Sequence, residues 1–364
     1  MLNVNFWQDF LKIISNIQVK NIETGFHVEG VLTITIDDIA RLANVSKATV
    51  SKVINGYPGV NQKTRKIVLS IMRKYNYWPN ATARSLTTNR SYLIGLFVAS
   101  ELNNSFFREV IAGIEKKLGS LGYDILYFAN KRPDNTGIHY GYLEKCLNRH
   151  VDGAIMLSYI RNELADFDSL LCSNIPQVYV DLDLQSDYAS YIISNNQKSA
   201  ETAVSYLHSL GHKKIGYLDG TKLSKPAADR YQGFCTTIKK LDLITRPEWI
   251  CHGEFTEEYG YQTMLQLLQL PDLPTAWIIQ DNIAIGAIHA FRKLGYQIPN
   301  DFSIIGFDDI ELSRHYDLTT VRQDKLKMGK AAAELLLNIL NGHNKSPIIL
   351  DTQLIVRGSC QISM

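Results

Sequence analysis

Ten lysines and arginines crowd residues 35–90 (positions 41, 47, 52, 63, 65, 66, 73, 74, 84 and 90), opposed only by Asp37 and Asp38, for a local charge of +8. Such a density attracts phosphate oxygens, and its chemistry is recognition rather than reaction. Lys47, Ala48, Ser51, Lys52 and Asn55 share the outer face that a helix through them would present. A second constellation is dispersed: Asp181 and Asp308 each end an apolar run, Arg230 opens a helical stretch, and Gln323 lies in a connecting segment. Carboxylate, guanidinium and amide groups match hydroxyls that need paired donors and acceptors, while Phe106 and Phe255 could offer flat apolar faces to C–H groups. No phosphate-cradling glycine loop, zinc spacing or nucleophile motif occurs, and His212 ahead of a strand reads as structural. We therefore expect no catalytic residue, no metal and no cofactor.

The elements that hold the basic stretch follow from its caps. Thr35 followed by Asp38 forms a capping box, and Ile36, Ile39, Ala40 and Ala43 line one face of a first short helix ending near Asn44. Ser46 caps a second helix over 47–54 with Val50, Val53 and Ile54 as its apolar stripe. Asn61 caps a third, over 62–75, with Ile67, Val68, Ile71 and Met72 expected inward. Two short helices across so brief a turn have helix-turn-helix geometry. Pro79 stops any continuation, and Asn80 can cap a short helix over 81–86 that is too short to be stable alone in water.

These residues carry a resemblance. Thr35-Ile36-Asp37-Asp38-Ile39-Ala40, Val45-Ser46 through Thr49-Val50-Ser51, Val53-Ile54-Asn55-Gly56, Thr64-Arg65, Tyr77 through Pro79-Asn80, and Ala83-Arg84 with Leu86 resemble, in order and spacing, the DNA-binding headpiece and hinge of the lactose/galactose repressor family. The resemblance implies DNA contacts from Thr35, Ser46, Lys47, Ala48, Thr49, Ser51, Lys52 and Asn55, and from Asn80, Ala83 and Leu86 of the hinge, with Leu86 as a wedge in the minor groove. Two departures stand out: Asn44 replaces a turn glycine, and Lys52, a point charge, replaces an arginine fork.

The whole chain of 364 residues carries only +2; with −1 on residues 1–34, residues 91–364 carry −5. The nucleic-acid surface is thus one small domain. Five scattered cysteines without a C-x-x-C pair point to reduced thiols, and no apolar run reaches the length of a membrane span, so a cytoplasmic protein is expected. Residues 1–34 have no place in the pattern and read as an appended or mis-started leader.

From residue 91 the pattern changes to alternating strands and helices. Strands are expected over 91–100, 123–128, 153–157 and 177–180, with helices near 106–120, 138–149 and 162–172. A second series begins near 192, with helices over 197–210, 227–241, 257–269 and 282–294 and strands over 214–218, near 250, 276–279 and 303–306. A helix over 325–341 and a final strand over 348–356 return to both lobes, making three crossings. The expected class is α/β: an all-α headpiece (35–79), a hinge (80–90), and a two-lobed parallel α/β region over 91–358, with a first lobe of about 91–193 and 323–343 and a second of about 194–321 and 346–358.

This region also resembles the family, whose regulatory part is similar in fold to periplasmic sugar-binding proteins. The matching runs are N-N-S-F-F (103–107), V-D-G-A-I (151–155), L-G-H-K-K-I-G (210–216), R-Y-Q-G-F (230–234), G-F-D-D (306–309), L-T-T-V (318–321) and M-G-K-A-A (328–332). The resemblance implies effector contacts from Phe106, Asp181, Arg230, Phe255, Gln280, Asp308 and Gln323, although Gln280 stands where the family has Asn, and Asn195 where it often has Asp. It implies a homodimer or higher oligomer on palindromic operator DNA, released by a small sugar or sugar derivative. The rivals are a regulator whose ligand strengthens DNA binding and, from another class, a sugar-binding transport component, which the headpiece and the lack of an export signal disfavour.

Overall fold

The structure, a computed structural model, describes residues 34–54, 56–77, 90–99, 105–128, 141–157 and 167–363. The leader up to residue 33, Asn55 and the hinge residues Asn80, Ala83 and Leu86 lie outside the described residues. Two compact units, 1–84 and 85–364, are taken in turn.

In the first unit, α1 (Ile36–Ala43), α2 (Lys47–Ile54) and α3 (Gln62–Lys74) follow the caps. Thr35 N–H donates to Asp38 Oδ2 at 2.9 Å while Asp38 N–H donates to Thr35 Oγ1 at 3.3 Å, closing the capping box. Asn44 ends α1 in the left-handed region at φ 51°. Ser46 Oγ accepts from Thr49 N–H at 3.2 Å, and Asn61 Oδ1 from Thr64 N–H at 2.7 Å. Ile39, Ala40, Val50, Val53 and Val68 form the buried core. Ile67, expected inward, is 41% exposed: the stripe of α3 centres on Val68, with Ile71 and Met72 half-buried. One of the ten basic residues has a structural task, because Arg65 donates to the carbonyls of Val53 (3.3 Å) and Tyr57 (2.9 Å) and so caps the end of α2.

The second unit contains two six-stranded sheets of matching topology. The first holds β1 (Leu93–Val98), β2 (Asp124–Phe128), β3 (Gly153–Leu157), β4 (Gln177–Val180), β5 (Ala189–Ser194) and β11 (Ile348–Leu350), in the order β11-β5-β4-β3-β1-β2, all parallel. Helices α4 (Ser105–Gly119), α5 (Tyr142–Asn148) and α6 (Asp168–Leu171) belong to it. The second holds β6 (Ile215–Gly220), β7 (Ile250–Gly253), β8 (Ala276–Ile279), β9 (Ser303–Asp308), β10 (Thr319–Arg322) and β12 (Gln353–Ile355), in the order β12-β10-β9-β8-β6-β7, with only β12 antiparallel. Its helices are α7 (Asn196–Ser209), α8 (Lys225–Lys240), α9 (Glu257–Leu267), α10 (Asp281–Lys293) and the short α11 (Glu311–His315). The last helix, α12 (Lys325–Leu340), packs on the first lobe, where Gly113 of α4 and Gly329 leave no room for a Cβ between the two backbones.

Strands β5 and β10 and helix α11 were not expected from the sequence. The strand expected over 348–356 is two strands, one in each sheet, parted at Asp351-Thr352. An apolar run shows that it seeks a sheet, not which one. The chain therefore changes lobe at 194–196, at 322–325 and at 350–353. Thr352 Oγ1 lies 2.8 Å from Ser199 Oγ, and Asn195 N–H donates to Leu350 O at 2.8 Å, so two crossings are bonded to one another.

Candidate functional site

On the first unit, Lys47, Ala48 and Lys52 are exposed on α2, and Thr49 and Ser51 beside them are half-buried. Thr35 and Ser46 are both occupied as helix caps. Lys47 Nζ meets Asp37 at 3.0 Å, with both side chains 60% exposed, an ion pair weak enough for a phosphate to displace.

In the second unit, open parallel sheets leave a crevice at the carboxyl ends of their strands. Asp181 follows β4 of the first sheet; Asp219, Gln280 and Asp308 end or follow β6, β8 and β9 of the second; Gln323 lies on the crossing after β10. All five are buried. Asp308 accepts from Gln280 Nε2 at 2.7 Å and from Gln323 Nε2 at 2.6 Å. Its backbone, at φ 105°, and that of Asp309, at φ 49°, both lie in the left-handed region. Lys325 holds this turn by donating Nζ to the carbonyls of Asp308 (2.7 Å) and Asp309 (2.9 Å), which lets surrounding structure impose a costly backbone. Asp309 faces away from Gln280 and Gln323 and binds Arg322 and Arg357, each at 2.6 Å; burial works to raise its pKa, but those bonds prevail and hold it below the usual range.

Arg230, from α8, is fully committed inside the protein. Its Nε and NH2 donate to Asp219 at 2.8 and 3.0 Å, NH1 donates to Asn196 Oδ1 at 3.3 Å, and its guanidinium lies 5.2 Å from the centre of the Phe307 ring. Burial alone would favour the neutral form, but the Asp219 carboxylate keeps it charged. Tyr217 also donates to Asp219, at 2.7 Å. Neither Asp219 nor Asn196 was anticipated as part of the site; a lone carboxylate ending the apolar run Ile215–Leu218, ahead of Arg230, was the available signal.

Asp181 is the opposite case. It is 8% exposed, its backbone is left-handed at φ 62°, and its Oδ1 is buried without a hydrogen-bond partner. Burial first, then the Asp308 charge, raise its pKa to about 7 against the opposing pull of Arg230. Asp181 and the second lobe thus sense one another across the crevice. Gln323 Oε1 is likewise buried and unpartnered. Of the two aromatic candidates, Phe255 is half-buried with its ring laid on Gly220, where any Cβ would collide with it; that sets it beside Asp219. Phe106 packs into the first-lobe core with its ring 5.0 Å from that of Phe107. At the mouth, Lys225 of α8 approaches Asp183 of the first lobe at 3.6 Å and binds Asp229 at 2.7 Å.

Beneath the crevice Asp281 accepts from Thr320, Ser313 and Ile310 N–H at 2.8, 2.6 and 3.1 Å, fastening α10 to the turn after β9. His212 lies 2.9 Å from both Thr275 and Ser303, a structural histidine whose pKa burial lowers. On the far side of Gln323, a polar pocket of about 510 Å³ is rimmed by the interlobe ion pair Arg108–Glu311 at 2.7 Å. Among the described residues no helix is long and apolar enough to cross a membrane, and no cluster of metal-ligating side chains occurs.

Residues 35–80 match the family of bacterial regulatory proteins, lacI family, and residues 204–360 match a periplasmic binding protein-like domain. The HTH-type transcriptional repressor PurR of Actinobacillus pleuropneumoniae serotype 3 (strain JL03) is 36% identical over 308 residues, covering 83% of this chain and 90% of that protein. The chain belongs to the lacI family. The PurR repressor of Haemophilus influenzae (strain PittEE) is 35% identical over 335 residues, or 89% of this chain and 98% of its own length. In solved lacI-family structures the same architecture recurs: a lac repressor dimer bound to operator and the anti-inducer ONPF has a TM-score of 0.76 at 28% identity, covering 90% of this chain and 99% of that one. A CelR-cellobiose complex has a TM-score of 0.65 at 25% identity over 90% of this chain and 99% of that one. This lacI-family chain is a DNA-binding transcriptional repressor.

Proposed function

We propose that a small sugar or sugar derivative binds in the crevice between the two lobes and lowers the affinity of a homodimer for a palindromic operator. The observation that carries this reading is the pair of buried acceptors, Asp181 Oδ1 and Gln323 Oε1, that lack protein partners between two lobes joined only by three crossings. Such atoms are costly to leave unmatched, and a donor-rich ligand touching both lobes would match them while favouring the closed arrangement. The candidate contacts are Asp181 from the first lobe, Asp308 and Gln280 from the second and Gln323 from the crossing, with Phe255 as the apolar platform; Arg230 shapes the site through Asp219. The cellobiose bound by a solved relative supports a carbohydrate ligand. On the operator, Lys47, Ala48 and Lys52 of α2 meet base edges, Thr35, Ser46, Thr49, Ser51 and Asn55 meet the backbone, and Asn80, Ala83 and Leu86 act in the hinge. Two-fold symmetry doubles a contact that one helix in one groove could not make selective.

Thermal-shift screening against sugars and purines, followed by operator binding with and without each hit, tests this reading. A sugar that raises the melting temperature and weakens operator binding is the expected result. A hit that tightens operator binding reverses the sign of the switch, and one that leaves it unchanged removes the crevice from control; reciprocity requires DNA-free protein to bind the releasing ligand better by the same factor.

A further inference from the structure

The charges of the crevice do not balance, and the imbalance has a direction. Arg230 is the only cation buried among Asp181, Asp219 and Asp308, and its guanidinium is taken up by Asp219 and Asn196. Lys225 at the mouth is held by Asp229 and Asp183, and Lys325 donates to the carbonyls of Asp308 and Asp309 with Glu109 at 3.4 Å. Asp308 receives only the neutral amides of Gln280 and Gln323. Asp181, more than nine-tenths buried, has an oxygen with no partner. Two carboxylates on opposite lobes therefore lack a cationic partner, while the one guanidinium suited to an anionic ligand is already satisfied by a carboxylate of its own lobe.

Resting on the sugar reading above and narrowing it, we propose that the effector carries an ammonium group, as an amino sugar does, and that this group seats between Asp181 and Asp308. A buried carboxylate near a second one is neutralised by holding a proton or by gaining a cation. The groups facing Asp181 are Asp308 on the turn after β9 and Arg230 and Asp229 on α8, and burial and Asp308 together raise its pKa to about 7. An arriving ammonium supplies the missing positive charge, so the Asp181 proton leaves as the ligand binds. An N-acetylated sugar has no such charge and cannot displace it.

The test is calorimetry on the full-length protein with glucosamine, glucose and N-acetylglucosamine as probes, each in two buffers of different ionisation heat. Glucosamine should bind roughly ten- to a hundredfold more tightly than glucose, the value of one charge-assisted hydrogen bond. Its affinity should rise from about pH 5.5 to about pH 7 as Asp181 loses its proton, with a binding heat that differs between buffers because a proton is released. Asp181→Asn should reduce that preference to within about twofold, and the wild-type comparison stands alone if that variant does not fold. Equal or tighter binding of glucose, or a heat independent of buffer, overturns the ammonium proposal and leaves the sugar reading intact. Binding of purines with no sugar bound, or of none of these ligands, overturns both.

Discussion

The headpiece and the crevice use the same residue types to opposite ends. In the headpiece, charged side chains lie in water: Arg41–Asp38 and Lys47–Asp37 are exposed pairs of little energetic value, which leaves the cations available to phosphate. In the crevice, Arg230 and Asp219 are 3% and 1% exposed, and each is needed to make the other tolerable. The headpiece bonds that shape its helices are local, Thr35 to Asp38, Ser46 to Thr49 and Asn61 to Thr64. Those of the crevice join Asp308 to Gln280 and Gln323, and Arg230 to Asn196, far apart in the chain. An exposed cation serves a partner molecule; a buried one serves the fold first.

Four measurements can break or sharpen this contrast. The largest effect expected is on operator binding, which should fall by about 10³ to 10⁵ between roughly 50 and 200 mM salt if six or more headpiece cations meet phosphate. A salt-independent affinity would mean that those cations are not the contact. Next comes Arg230→Ala, which strands the Asp219 carboxylate and should lower stability by about 3–5 kcal/mol in denaturant unfolding. Arg230→Met combined with Asp219→Asn should recover most of that loss, whereas a loss below about 1 kcal/mol for Arg230→Ala would place the arginine on the ligand side of the contrast. Third, Ala48→Gln exchanges an apolar contact for a bidentate amide and should shift the preferred half-site by about 1–3 kcal/mol in competition binding; an unchanged preference removes Ala48 from base readout. Smallest is Thr35→Ala, which opens the capping box and should cost about 1 kcal/mol in headpiece stability. A larger loss of operator affinity than of stability would show Thr35 to touch DNA as well.

The sequence determined the headpiece nearly to the residue, because each helix boundary there is set by a cap within three or four positions and the short-range signals agree. It also determined the two-lobed class, since apolar runs alternating with helical stretches leave few ways to wind the chain. Ile67 misled because the apolar arc of α3 is wider than the face its neighbours cover. Strands β5 and β10 were missed because Ser190, Ser194 and Thr319 dilute their apolar character and are buried only by the sheets around them. The division of 348–356 between two sheets, the capture of Arg230 by Asp219, and the isolation of Asp181 Oδ1 were decided by tertiary structure alone. A residue's type tells what it can bind, but which partner reaches it first depends on strands brought together from distant parts of the chain, and in a buried site that order decides whether a charge is left for a ligand.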